Sequence, residues 1–196
     1  MRFHLGPIPS SENFTPNEEW RQLREPSPWV AQLIAWPIGI AGFLCFIVLW
    51  LRLTNLEIGK VDSGDFFFVG VLLWIPLIVV HEAIHTLFHP QFGKSPHSIL
   101  GFWPAKLLFY AHYDGELTRL RFILILAMPF VALTILPFAV CFLANLTNEY
   151  VAWISTWNAL FACLDLFGII LLCFQVPSNA ICRNQGWKTY WRPNPK

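Results

Sequence analysis

The chain has 196 residues, of which 56% are hydrophobic and only 13% charged, with a net charge of +1 and a positive mean hydropathy of +0.51. This composition excludes an ordinary soluble domain, and the balanced charge without a basic block excludes a nucleic-acid-binding protein. It indicates a polytopic membrane protein in contact with a lipid bilayer.

Residues 1–28 contain acids and several prolines, and no small-residue cleavage site follows the first apolar run, so they read as a tail rather than a cleaved signal. Four apolar runs follow, at 29–51, 66–88, 122–146 and 150–176. Each reaches the roughly 20 residues a spanning helix needs. The prediction is all-α: a four-helix transmembrane core over 29–176, within a single membrane-embedded domain 1–196. Pro37, Pro76, Pro129 and Pro137 lie inside these runs and predict kinks rather than ends. The loop at 90–118 has apolar stretches too short to span, as expected of a re-entrant or interfacial segment. Residues 177–196 form a second tail.

With four spans, both tails and the middle loop share one side. That side holds Arg2, Arg21, Arg24, Lys94, Lys106, Arg119, Arg121, Arg183, Lys188, Arg192 and Lys196, against Arg52 and Lys60 opposite. The bias predicts a multi-pass cell-membrane protein with both termini cytoplasmic. Tryptophans flanking the runs, such as Trp29, Trp50 and Trp187, read as interface anchors. The cysteines form no Cys-x-x-Cys pair and read as small buried hydrophobes.

The second run carries His81-Glu82-Ala83-Ile84-His85 near its inner end. Two imidazoles and a carboxylate in hydrocarbon are expensive, so a functional site is the default reading. Residues four apart share a helix face, so His81 and His85 can bind one Zn²⁺ while Glu82 acts on a metal-bound water, the zincin arrangement. The alternative is a pair of helix-end histidines reaching the headgroups, with Glu82 paired to an arginine. Running from outside to inside, the helix puts His81 roughly 22 Å down a core of about 30 Å.

A catalytic zinc usually has three protein ligands and one open position. Among His89, His97, His112, Asp114, Glu116, Glu149 and Asp165, the last is preferred. Glu82 and Asp165 are the only carboxylates well inside the runs. Asp165 follows Tyr150 by as many residues as His81 follows Phe66, on a co-directional helix, which implies equal depth. His89 lies about 12 Å along the helix from His81, too far for one metal, and is expected among the headgroups. Asn158 shares the helical face of Asp165, where it would hold a substrate carbonyl or oxyanion, or else make a helix-to-helix hydrogen bond. Ser155, Thr156 and Thr134 are expected to bond their own helix backbone. The segment 106–113 could offer a strand edge to an extended substrate. His112 and Tyr113 read as packing or solvent-facing residues ahead of any oxyanion role.

Three features together resemble a known family: His81-Glu82-Ala83-Ile84-His85 in a membrane helix, the later Asn158 and Asp165, and the tail Val176-Pro177-Ser178-Asn179-Ala180 to Trp187-Lys188-Thr189-Tyr190-Trp191. The chain resembles the small membrane proteins described as putative zincin peptidases, and is distantly similar to the site-2 proteases, which cleave within or near the membrane. That resemblance implies His81, His85 and Asp165 as ligands of one zinc, Glu82 as general base, and Asn158 as a substrate-positioning residue. Ala159 and Leu166 depart from the proline and glycine that site-2 proteases carry at the matching positions. The expected function is a membrane-embedded zinc metallopeptidase acting on a membrane protein or peptide. A divalent-metal-binding or transporting membrane protein, or a membrane scaffold, is the alternative.

Overall fold

The computed structural model describes residues 1–54, 56 and 63–194. Lys60 and Lys196, two of the cations used for orientation, lie outside the described residues. The apolar runs fold as helices, which satisfy the backbone N–H and C=O groups within each segment. Helix α1 (Pro28–Leu53) starts with Pro28 in its first turn, where a missing N–H costs nothing. Helix α2 (Ser63–Leu87) carries the histidine motif in its last two turns. Just past its end, Arg121 donates from Nε to the oxygen of Phe88 at 2.9 Å and from a terminal nitrogen to that of His89 at 3.3 Å.

The third run is one continuous rod with a change of winding. Helix α3 (Arg119–Phe130) is capped by the Thr118 hydroxyl. A π-helical stretch, Val131–Ile135, then leads into α4 (Leu136–Leu143). Pro129 and Pro137 flank the stretch, and each deprives a carbonyl four residues earlier of its partner, so the rod widens locally instead of ending. The fourth run is broken. Helix α5 (Glu149–Phe161), capped by Asn148, and helix α6 (Cys163–Gln175) meet at Ala162 with a bend of 47°. Three helical segments, Pro28–Leu53, Gly70–Leu87 and Arg119–Leu143, are long and apolar enough to cross a membrane, or four if the bent pair counts as one span.

The all-α expectation needs correction, because both tails and the middle loop form strands. Strands β3 (Ser98–Trp103) and β4 (Leu108–Tyr113) make a hairpin, and β1 (Arg2–Leu5) adds to it in parallel, giving the order β1-β3-β4. A second sheet runs β2 (Arg21–Gln22), β7 (Lys188–Pro193), β6 (Ala180–Gln185), β5 (Leu117–Thr118). Here Arg21 faces Trp191 and the N–H of Leu23 bonds the carbonyl of Thr189 at 2.9 Å. These strands have two to six residues each and show no sustained alternation, which is why the sequence reading left them as tails and an interfacial loop.

Packing holds the two sheets at one end of the helices. Leu23, Leu172, Val176, Ala180, Cys182 and Trp191 form a core where α6 meets the second sheet. Outside the apolar layer, burying each large side chain there is worth about 1.5–3 kcal/mol. Toward the other end, Phe46, Trp50, Cys141, Ala152 and Ala159 join α1, α4 and α5. Gly39 is required where α1 crosses the bend, since a Cβ there would lie 2.7 Å from the Leu160 carbonyl oxygen and 2.9 Å from Cys163 Cβ.

Candidate metal centre

Helix α2 brings His81 and His85 to one face, with ring centroids 4.9 Å apart. The break at Ala162 places Asp165 in the first turn of α6, aimed at that face. His81 Nε2 lies 2.9 Å from Asp165 Oδ2, and His85 Nε2 lies 3.2 Å from Asp165 Oδ1. One ligand atom from each of His81, His85 and Asp165 lies within 4.8 Å of the others, the sole such metal-capable group among the described residues. Both histidines are buried, at 4% and 5% exposure.

The opposite nitrogens are equally constrained. His81 Nδ1 faces Asn158 Oδ1 at 2.8 Å, and His85 Nδ1 faces the carbonyl of Ile125 at 2.7 Å. That carbonyl is available because the residue four positions on is Pro129, which has no N–H to offer. The Asn158 amide is oriented by its own donors: Nδ2 donates to the Pro129 carbonyl at 3.0 Å and to Thr134 Oγ1 at 2.9 Å. Each imidazole therefore has acceptors on both sides. A neutral ring has one N–H, so each Nε2 needs either a second proton or a cation shared with the Asp165 carboxylate. With Nδ1 held as donor, the Nε2 lone pairs converge on the carboxylate, the arrangement by which outer hydrogen bonds orient metal-binding histidines. The donor set fits a divalent cation of the zinc type.

The support behind Asn158 reaches across four helical segments. Thr134 Oγ1 donates to the Ser155 carbonyl and Ser155 Oγ donates to the Thr134 carbonyl, both at 3.0 Å. Trp50 Nε1 completes the chain by donating to Ser155 Oγ at 3.1 Å. Asn158, Thr134 and Ser155 have no exposed surface. Ser155 and Thr134 thus bond between helices, not to their own backbones as the sequence suggested. Trp50 is likewise buried within this network, away from the interface role expected of it.

Glu82 faces a cavity of about 600 Å³ whose wall also includes His81, His85, Asp165, Tyr110 and Tyr113. The backbone of Ala111 in β4 hydrogen-bonds Glu82, which ties the edge strand of the first sheet to the motif. The far wall is formed by Glu25 and Pro26 with Trp187 and Thr189. Trp187 Nε1 donates to the Pro26 carbonyl at 2.8 Å, and Thr189 donates to Glu25 from both its backbone N–H and its hydroxyl. Burial pushes the Glu25 carboxyl up to about 7, against the opposing pull of Thr189 and Lys188.

Three other residues weighed from sequence lie outside the His81, His85 and Asp165 group; His89 departs from its expected place, and His112 and Tyr113 take the packing role. His89 is buried, not at the headgroups, with Nδ1 3.2 Å from Ser98 Oγ, and burial holds it down to about 4. His112 lies on the buried side of β4 and is also held down to about 4 by burial. Tyr113 lines the cavity and packs against the rings of His89 and His97. Sequence reasoning missed Ile125 altogether, although a proline four residues later was a readable sign of a free carbonyl.

The model of the family described as "Putative zincin peptidase" matches residues 74–181, a stretch that contains the motif, Asn158 and Asp165. No curated protein and no solved structure matches the chain.

Proposed function

We propose that this chain, which belongs to the putative zincin peptidase family, is a membrane-embedded zinc metallopeptidase that hydrolyses a peptide bond in or near the bilayer. One observation carries the reading: two imidazoles with acceptors at both nitrogens converge on Asp165, and Glu82 faces the same cavity. His81, His85 and Asp165 would hold the metal. When bound, zinc supplies Lewis acidity toward the scissile carbonyl and makes water a competent nucleophile near neutral pH.

The chain's own groups do the rest. Glu82 takes the proton of the attacking water and delivers it to the leaving amine, so no covalent intermediate is needed. Asn158 and the Ile125 carbonyl hold His81 and His85 in the tautomer that leaves Nε2 free, which makes Asn158 a positioning residue for the ligand. Strand β4 ends its sheet, so an extended substrate segment could pair along it beside Glu82. The apolar helices support a multi-pass membrane location, and the Lys and Arg bias supports cytoplasmic termini. A membrane protein or peptide is the substrate class that fits.

The test uses purified full-length protein, with metal analysis alongside a cleavage assay on membrane-protein and peptide substrates. Wild type and Glu82→Gln should each hold one zinc, while the variant loses about 10²-fold or more in turnover. Equal cleavage by the variant sinks the general-base role. Stoichiometric zinc without turnover in wild type favours a metal carrier, and absence of zinc favours a scaffold.

A further inference from the structure

We infer that the first sheet is a membrane-surface device whose open face lies against the lipid headgroups and the outer part of the acyl chains. The inference rests on the membrane-spanning part of the reading above, and not on catalysis. Residues paired across a ladder point to the same face. The registers therefore align Phe3 with Leu100 and Ala111, and Leu5 with Phe102 and Phe109. On the opposite face Ile99, Gly101, Tyr110 and His112 are buried.

In water, the open face of a half-buried sheet is normally polar. Here Phe3, Leu5, Leu100, Phe102, Phe109 and Ala111 are all apolar, with Phe3 and Leu5 still 72% and 66% exposed, and only the buried end of the face carries the polar pair Ser98 and Tyr113. The turn between β3 and β4 repeats the pattern. Leu107 adopts a left-handed φ of 48° and is 78% exposed. Such positions in aqueous turns favour glycine or asparagine, so a leucine there indicates an apolar surround.

The bilayer is the occupant that the surroundings favour. The turn is pinned to the first turns of α1: Gln32 Nε2 donates to the Lys106 carbonyl at 3.1 Å, and Lys106 Nζ sits 5.0 Å over the Trp29 ring and 5.8 Å over the Trp103 ring. The open face is thereby continuous with the point where the first apolar helix begins. Trp29, Trp103 and Lys106 form the aromatic and basic pairing typical of the interface. Charge agrees, since residues 1–11 and 83–113 contain Arg2, Lys94 and Lys106 but no Asp or Glu. A basic, acid-free rim suits anionic headgroups.

Spin labels placed singly at Phe3→Cys and Leu107→Cys, in full-length protein lacking its native cysteines, test this in phosphatidylcholine vesicles containing phosphatidylglycerol. Leu72→Cys, on the exposed side of α2, reports the span, and Glu18→Cys reports water. The expected result is severalfold greater collision with oxygen than with a nickel chelate at Phe3 and Leu107, as at Leu72. Chelate-dominated signals at both sites, with Leu72 still in lipid, overturn the inference alone. Dipolar coupling between copies at Phe3 also overturns it, by showing a second chain on this face. An aqueous signal at Leu72 overturns the membrane-spanning reading and the inference with it.

Discussion

Pro129 and Ile125 are joined by a bond that is missing: the proline has no N–H for the Ile125 carbonyl, and that carbonyl accepts His85 Nδ1–H at 2.7 Å instead. A residue that looks like a helix breaker thus creates the acceptor that orients the His85 ring. Replacing it with alanine supplies a competing N–H. Pro129→Ala should weaken zinc binding by about tenfold, the lower end for loss of an outer hydrogen bond, without loss of helical structure. Competition with a chromogenic chelator measures the former and circular dichroism the latter.

Asn158 carries the matching role for His81. Asn158→Ala leaves the His81 Nδ1–H, the Pro129 carbonyl and Thr134 Oγ1 short of a partner in a buried setting. Zinc affinity should fall by about 10–100-fold. Ordinary zinc affinity in this variant would remove Asn158 from the site.

Asp165 is the one carboxylate in the group of three that could hold a metal. Asp165→Asn keeps the shape but removes the charge that the two Nε2 atoms face. Metal content after dialysis should fall well below one per chain, while Glu82→Gln stays loaded. Equal retention in both variants would argue for a different third ligand.

Gly39 tests the bend. A methyl group in Gly39→Ala meets backbone at Leu160, so α1 and the bent pair must separate. Overpacking of this kind costs about 1–3 kcal/mol. Thermal unfolding should move to lower temperature, with zinc content reduced in parallel because Asp165 rides on the displaced helix.

Glu25 gives a pH dependence. Its carboxyl is raised to about 7 in the folded chain, above its ordinary value of 4.5. Its contribution is therefore fully present below the ordinary value and is lost as pH rises through about 7. Amide exchange at Thr189 and Leu23, corrected for intrinsic rates, should show weaker protection at pH 8 than at pH 5. Glu25→Gln should flatten that trend, and an unchanged slope in the variant would assign it to other groups.

The helices and the meeting of His81, His85 and Asp165 were legible in the sequence because their signals are written locally. Long apolar runs announce helices, a four-residue spacing puts His81 beside His85, and Asp165 is conspicuous as a carboxylate in an apolar run. Sheet pairing is local only in the β3–β4 and β6–β7 hairpins. Strand β1 finds β3 only across α1 and α2, and two-residue strands such as β2 and β5 leave no periodic trace. Equal offsets along two helices anticipated the meeting of His81 and Asp165, but not the bend at Ala162, which no proline or glycine marks. His89 was misplaced because the helix end was assumed to meet headgroups, whereas the β3–β4 hairpin covers it.

The pairing of Arg21 with Trp191 also sets an order of events during synthesis. Strand β2 is made long before its partner, and the bonds from Thr189 to Glu25 cannot form until the segment carrying Thr189 has emerged. A nascent chain halted just before Lys188 would already hold both histidines, Glu82, Asn158 and Asp165, yet would have no Thr189 to fasten the far wall. The wall built on Thr189 is therefore fastened last, by a residue made after every chemical group of the cavity.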